Sequence, residues 1–427
     1  MLFKNLFLWH NKTSINLKPT YSSTFMTFAT KKMHLYGTVG FLWLSHLLVD
    51  TMIGIWPIYK TIAHIDLAVA GFIAAACAFI GEGMQIFFGM LSDKGHRKIL
   101  ICFGLLCAAS SLFFPHVEGP FFLFLLYLFT CLGSGAFHPA AASHIGMLTE
   151  HRKSLFIAIF ASGGAIGLAC SQLAFSHCYH AFDGNTAYLF LPMAALILLI
   201  AFFPFATSTA LLAKNKHSVS WKGIQKFLSS RELVSLYFCQ VCVSSIFWGI
   251  IFLLPDILTS RGHVEWICMG GGHFFFVFGG ALMMIPSGYL ADKYSAKAVI
   301  LTAIIFGSSI FYTFYFTPLL PPVFILILLF FMGAAFGIIN PISVSQGHRL
   351  MPSHPGLISA IMMGLAFCLS ESIGPGGGGL LAEYFEEDAA AKALAVVGLL
   401  CVPAFLNALA LSSRQEIAPE QTVECAS

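Results

Sequence analysis

The chain has 427 residues, of which 58% are hydrophobic, 15% aromatic and only 10% charged, with a formal net charge of +3. A soluble domain carries about 25% charged residues, so this surface cannot mostly face water. The small positive charge is spread over loops and leaves no face for nucleic acid. The 12 cysteines sit mostly in apolar runs, Cys239 and Cys242 included, where they are expected as small buried hydrophobes rather than redox or metal thiolates.

Residues 1–34 hold five lysines and no acid and read as a flexible cytoplasmic tail without a signal sequence. Apolar runs of 18 or more residues follow, each long enough to cross the roughly 30 Å of hydrocarbon as a helix. They are continuous rather than alternating, so helices satisfy the backbone in lipid, not a barrel. Twelve spans are predicted, near 36–58, 67–90, 98–115, 120–143, 153–178, 187–208, 232–255, 268–290, 297–317, 322–345, 356–381 and 393–412. The fold class is all-α integral membrane, with two pseudo-symmetric six-helix bundles at 35–208 and 232–412. A cytoplasmic central loop, 209–231, joins them, and a cytoplasmic tail, 413–427, closes the chain. Placing the N-terminus inside leaves only Lys60, Arg261 and Lys392 of the 22 basic residues outside. That asymmetry puts both termini in the cytoplasm of a plasma (inner) membrane protein.

The two halves repeat each other. Gly89, Asp93, Lys94, Arg97 and Lys98, between the second and third spans, are echoed by Gly288, Asp292, Lys293 and Lys297 between the eighth and ninth. Gly135, His138 and Pro139 in the fourth span are echoed by Gly337, Asn340 and Pro341 in the tenth. Gly163, Gly164 and Gly167 in the fifth have a richer counterpart in Gly374, Pro375 and the glycines 376–379 of the eleventh. Such repeats mark secondary transporters, whose sites lie between the repeats near mid-membrane.

These residues resemble the major facilitator superfamily over essentially all of 36–412. Gly89, Leu91, Asp93, Lys94, Arg97, Lys98 and Ile101 match its loop signature, with His96 where a glycine is expected and Gly95 one place early. Ser45, His46, Leu47, Leu48 and Asp50, then Phe137, His138 and Pro139, then Gly163, Gly164 and Gly167, and Gly356 after Met351 and Pro352, are similar to the fosmidomycin-resistance branch. The chain departs from that branch at Ala140, where an acid is expected. It departs again at Ala165, in place of an amide, and at Ser171 and Gln172, in place of the antiporter Gly-Pro. The resemblance implies proton-driven export of small drugs or antibiotic-like molecules by alternating access, with the 89–98 loop acting as a cytoplasmic gate.

Several residues are candidates to carry such a mechanism. Asp50, Glu82 and Glu371 lie inside apolar runs, where a carboxylate costs about 2.5–3.5 kcal/mol on insertion scales and is a functional expectation by default. His46 stands one helical turn before Asp50, on the same face, so the two can form a titrating pair. Glu82 lies three residues before Gln85 and is equally readable as polar glue between helices. Glu371 precedes the glycine run, where a broken helix is expected to expose backbone to the cavity. His138 precedes Pro139, expected to kink its helix, and Asn340 is its counterpart for the same solute. Lone His273 reads as packing. Asp93 is expected to pair with Arg97 or to face the start of the eleventh span at Ser353, His354 and Pro355, latching the halves. Asp292 is the mirror candidate, near Arg152. The glycines, with Pro139 and Pro375, are read as hinge and packing positions. No zinc spacing, nucleophile elbow or Walker pattern is present, so no metal, cofactor or enzyme activity is expected and energy must come from a gradient. The expected partners are the bilayer, a small solute and protons, and the expected state is a monomer. The alternatives are an importer or exchanger of a small polar metabolite, or a transport-inactive membrane sensor.

Overall fold

A computed structural model describes residues 21–148, 153–205 and 221–412. All regular structure among them is helical. Ten helical runs are long and apolar enough to span a bilayer. One of them, Leu67–His116, is a double span folded back at Gly95, whose φ of +99° only glycine adopts without strain. The shorter apolar helix Thr186–Phe202 stands where the sixth crossing is predicted, which is consistent with twelve spans.

Starts and stops follow local chemistry. Asp66 accepts hydrogen bonds from the N–H groups of Ala68 and Val69 and opens the second span. Ser230 and Ser295 do the same for the seventh and ninth, through Leu233 and Ala298. Pro120 and Pro322 stand in the first turns of the fourth and tenth. The first helix runs Tyr21–Ile53, so it begins well inside the stretch expected as a flexible tail. No proline or glycine lies between Pro19 and Gly37 to stop it. The central loop likewise contains a helix, Trp221–Ser229, which packs on His354 and Leu357 through Gly223.

Packing within each half repeats. The fifth span lies against the first so closely that a side chain on Gly163 or Gly167 would strike the carbonyls of Trp43 and Leu47. The eleventh lies against the seventh in the same way, through Gly374 and the Ser245 carbonyl. The second meets the fourth at Gly81 and Gly135, and the eighth meets the tenth at Gly279 and Gly333. Small residues let backbones approach where lipid gives no hydrophobic drive between helices.

One expectation about a broken helix is corrected, at the glycine run of the eleventh span. The fourth span runs unbroken over Pro120–Gly146 with Pro139 inside it. Its counterpart is interrupted just before Asn340, between Pro322–Phe336 and Ile339–Leu350. The glycine run does not break the eleventh span either. Wide π-helical turns at Ala360–Leu365 and Ser372–Gly377 carry the helix through. Turns of that kind absorb a proline without ending the helix.

The halves meet mainly at the end opposite the two basic loops. Lys60 Nζ, wholly buried, pairs with Asp256 of the seventh span. Thr61 Oγ1 donates to the same carboxylate at 2.9 Å. His273 Nε2 donates to the Leu168 carbonyl at 2.7 Å, Ser176 donates to the Met269 carbonyl, and Ser372 to the Ala75 carbonyl at 3.1 Å. Ser171 and Gln172 are both fully buried and reach His273 Nε2 and the Ile251 carbonyl, each at 3.4 Å. His273, expected as packing, therefore packs across the bundle boundary.

Candidate functional site

The first and fourth spans bring His46, Asp50 and His138 together. His46 Nε2 lies 3.4 Å from one carboxylate oxygen of Asp50, and His138 Nε2 lies 3.1 Å from the other. Each imidazole spends its other nitrogen on a backbone carbonyl. His46 Nδ1 donates to Phe160 at 2.8 Å, and His138 Nδ1 to Ser134 at 3.0 Å. A carbonyl only accepts, so both Nδ1 atoms carry hydrogen. Each Nε2 then faces a carboxylate oxygen, and two acceptors can share that gap only with a proton between them. The cluster is therefore built to hold protons. It is not sealed, since the Asp50 and His138 side chains are 19% and 29% exposed.

The arrangement extends to Glu82, which is nearly fully buried. Ser134 Oγ donates to Glu82 Oε1 at 2.9 Å and lies 3.1 Å from His138 Nδ1. Gln85 donates to the other oxygen of Glu82. Asp50, His138, Ser134 and Glu82 thus form one hydrogen-bonded chain. His46, Asp50 and His138 also place ligand-type atoms within 4.8 Å of one another, a donor set a cation could share, but each of those atoms is already engaged inside the cluster.

The remaining candidates lie elsewhere. Asn340 accepts from Gln240 Nε2 at 3.3 Å, inside the second bundle, and shares no group with His138. Gln240 also donates to the Met362 carbonyl, so this polar knot ties the seventh, tenth and eleventh spans. Glu371 does not join the Asp50 cluster. It lines a pocket between the bundles with Trp56, Tyr127, Trp248 and Phe252. Gly164 faces the cluster directly, for a side chain there would overlap His46 Nε2 and Asp50 Oδ2. Pro375 presents its carbonyl to Gly71 of the second span.

In the 89–98 loop, Gly89 leaves room beside Pro139. Arg97 is buried, donates from Nε to Ser143 at 3.1 Å and lies 3.9 Å from Asp93. The expected latch of Asp93 on the eleventh span is not made in this state. Asp93 is exposed, and its partner among the described residues is Arg97. Lys94 is exposed as well. Lys98 Nζ caps the sixth span through the carbonyls of Ala201 and Phe203, at 2.8 and 2.9 Å. Its repeat, Lys297, caps the twelfth through Leu409 and Leu411, at 2.7 and 2.8 Å. Asp292 pairs with Arg349 in its own bundle, Lys293 lies over the Tyr294 ring at 5.3 Å, and Arg152 lies outside the described residues.

Sequence reasoning missed Ser134, Lys60 and Asp256. For the last two a signal existed: single charges of opposite sign near the same ends of the first and seventh spans.

The sequence profile described as Major Facilitator Superfamily matches residues 38–375 and, in a second alignment, 236–423. The chain is 24% identical over 399 residues to the fosmidomycin resistance protein of Escherichia coli (strain K12), covering 87% of this chain and 92% of that protein. Among solved structures it resembles a bacterial homologue of the human lysosomal transporter Spinster, in an inward-facing and unoccupied conformation. The TM-score is 0.69 and the identity 12%, over 91% of this chain and 99% of that one. It also resembles the nucleoside transporter NupG, with a TM-score of 0.70 and 15% identity over 89% of this chain and 98% of that one.

Proposed function

The chain belongs to the Major Facilitator Superfamily, and on that premise we propose that it is a proton-coupled exporter of a small drug-like or antibiotic-like molecule. It works by alternating access in the plasma (inner) membrane with both termini cytoplasmic. The observation that carries this reading is Asp50, held inside the membrane between the Nε2 atoms of His46 and His138. The likeness to a fosmidomycin resistance protein supports outward transport of a toxic solute.

A proton entering at Asp50 passes to His138 Nε2. The Nδ1 proton of His138 moves to Ser134 Oγ as the Ser134 proton moves to Glu82, so one proton crosses the chain: Asp50, His138 and Ser134 keep their count and Glu82 gains the proton. The reverse passage discharges it. A loaded cluster carries one negative charge fewer than an unloaded one. The bundle boundary beside it therefore prefers different states in the two conditions, which is the bias that coupling requires.

The test is solute uptake into everted vesicles with an acid interior. Uptake accompanied by proton release is expected. Asp50→Asn is expected to abolish gradient-driven uptake while leaving counterflow, because it removes the proton and not the passage. Coupling unchanged in that variant removes Asp50 from the mechanism. The departures at Ala140, Ser171 and Gln172 favour a second reading, gradient-free exchange of a small polar metabolite. Counterflow with no response to a proton gradient in the wild type would select it.

A further inference from the structure

His46, Asp50 and His138 offer two imidazole nitrogens and a carboxylate oxygen, all within 4.8 Å of one another. His46 Nε2 and His138 Nε2 lie 3.4 and 3.1 Å from Asp50. An ion held tetrahedrally at about 2.0–2.1 Å by nitrogen and oxygen sets its ligand atoms roughly 3.3–3.4 Å apart. The two contacts are already near that edge. The widest separation in the set exceeds it by at most about 1.5 Å, and a small torsion at His138, 29% exposed, closes it. The far sides of the rings are set as a metal requires. His46 Nδ1 donates to the Phe160 carbonyl and His138 Nδ1 to the Ser134 carbonyl. A ligating imidazole almost always spends its second nitrogen in this way, which fixes the ring and leaves the other nitrogen bare. Among the described residues the three donor groups are engaged at these atoms with one another alone. Gly164 keeps a side chain off His46 Nε2 and Asp50 Oδ2. The spacing is invisible in sequence, since His138 stands 88 residues from Asp50.

We propose that this triad binds one divalent first-row transition-metal ion, with Zn²⁺ the best fit, in place of the protons shared in its two gaps. Two imidazoles, one carboxylate and a water make up the ligand set of open zinc sites. The ion needs no cavity of its own, because it enters where protons are shared. Asp50 is 19% exposed, so water reaches the set and supplies the fourth ligand. Glu82, joined to His138 through Ser134, brings the second negative charge that a dication in lipid calls for. Other ions fit less well. Mg²⁺ and Ca²⁺ are held by six or more oxygen ligands and find one carboxylate. Cu⁺ favours thiolate and thioether sulfur, and the set has neither. A bound ion occupies both Nε2 atoms and Asp50, so proton loading stops and Zn²⁺ inhibits gradient-driven transport. That consequence rests on the proton-coupled reading, whereas the binding itself does not.

The test is equilibrium binding of Co²⁺, a coloured stand-in for Zn²⁺, to the tag-free full-length protein in lipid nanodiscs. Visible absorption reads the coordination, calorimetry the stoichiometry, and added Zn²⁺ competes. One equivalent is expected, displaced by Zn²⁺ and free of the strong near-ultraviolet bands of thiolate ligation. His46→Ala, Asp50→Asn and His138→Ala should each weaken binding about a hundredfold or more, since losing a ligand exceeds the scale of about 10–100-fold for outer-shell partners. His180→Ala, at an exposed histidine outside the triad, should leave it unchanged. Unchanged thermal unfolding midpoints show that the variants are folded. Where a histidine variant is not, Asp50→Asn, nearly the same in shape, decides. Absence of saturable binding by the wild type, thiolate bands, or equal affinity in Asp50→Asn overturns the assignment. Zn²⁺ should also abolish gradient-driven uptake into vesicles, and uptake indifferent to saturating Zn²⁺ overturns the inhibition. Asp50-dependent binding with no proton-coupled uptake supports this site while the transport reading fails. Proton-coupled uptake with no Co²⁺ binding overturns this site alone.

Discussion

Gly164 shows how one residue's absence of a side chain builds the proton cluster. Alanine there would overlap His46 Nε2 and Asp50 Oδ2, and overpacking of this kind costs about 1–3 kcal/mol. Gly164→Ala is expected to lower the thermal unfolding midpoint and abolish gradient-driven transport. Gly40→Ala, where nothing lies within 4 Å, should change neither. Equal behaviour of the two would show that Gly164 has no special fit. Ser134→Ala makes a sharper cut. It removes the hydroxyl between His138 and Glu82 and leaves the Asp50–His138 contact in place. Proton-driven uptake should fall about a hundredfold, as for loss of a positioned proton-transfer group, at the low end of its usual range, with counterflow retained. Equal proton-driven rates would take Glu82 out of the path. Part of this site was legible in sequence. His46 and Asp50 are four residues apart on one helical face, and helical periodicity alone joins them. The link to Glu82 was not legible, because it runs through a serine 52 residues away in the chain, and a serine carries no charge to draw attention.

At the scale of helices, the repeat read from two basic loops corresponds to a repeated structural device. Lys98 and Lys297 stand at equivalent positions and each closes the last carbonyls of the final span of its bundle. A cation at a helix C-terminus stabilises it by about 0.3–1 kcal/mol, up to ~2 when partly buried. Lys98→Met and Lys297→Met should each lower stability within that range. Their sum should hold in the double variant, since the caps lie in different bundles and share no partner. Denaturant titration in detergent checks this, and strong non-additivity would mean the caps are coupled through the bundle boundary. The spans themselves were legible because lipid forces the backbone into helices. The interruption ahead of Asn340 was not, since Gly337 and Pro341 mirror Gly135 and Pro139 residue for residue. Three positions between them differ: Ile338, Ile339 and Asn340 in one half, Ala136, Phe137 and His138 in the other. Paired β-branched residues hold a helical turn less well than alanine does.

For the molecule as a whole, the two bundles are closed at one end by a contact whose one signal in sequence is a pair of lone opposite charges near the same ends of the first and seventh spans. Lys60 and Asp256 are 196 residues apart in the chain, and the sequence shows Lys60 as a basic residue on the sparse side of the membrane. Burial makes this contact state-dependent. With the end closed, the Lys60 ammonium is wholly out of water, and removing its partner strands a buried charge at a cost of about 3–5 kcal/mol. With the end open, Lys60 is hydrated and loses little. Asp256→Ala therefore raises the closed state relative to the open one and should shift the population toward opening at that end. Replacing both groups with apolar ones removes the stranded charge, and such replacements of buried pairs are often neutral or stabilising. The Lys60→Met, Asp256→Leu double variant should then return to the closed form. Spin labels at Ala63 and Glu265, exposed just after the first span and at the start of the eighth, read the separation directly. The distance should lengthen in Asp256→Ala and shorten again in the double variant. Labels that stay at one distance in all three proteins would leave the closure to the backbone contacts around Gly71 and Gly379 and to the His273 and Ser372 bonds, with the ion pair a bystander.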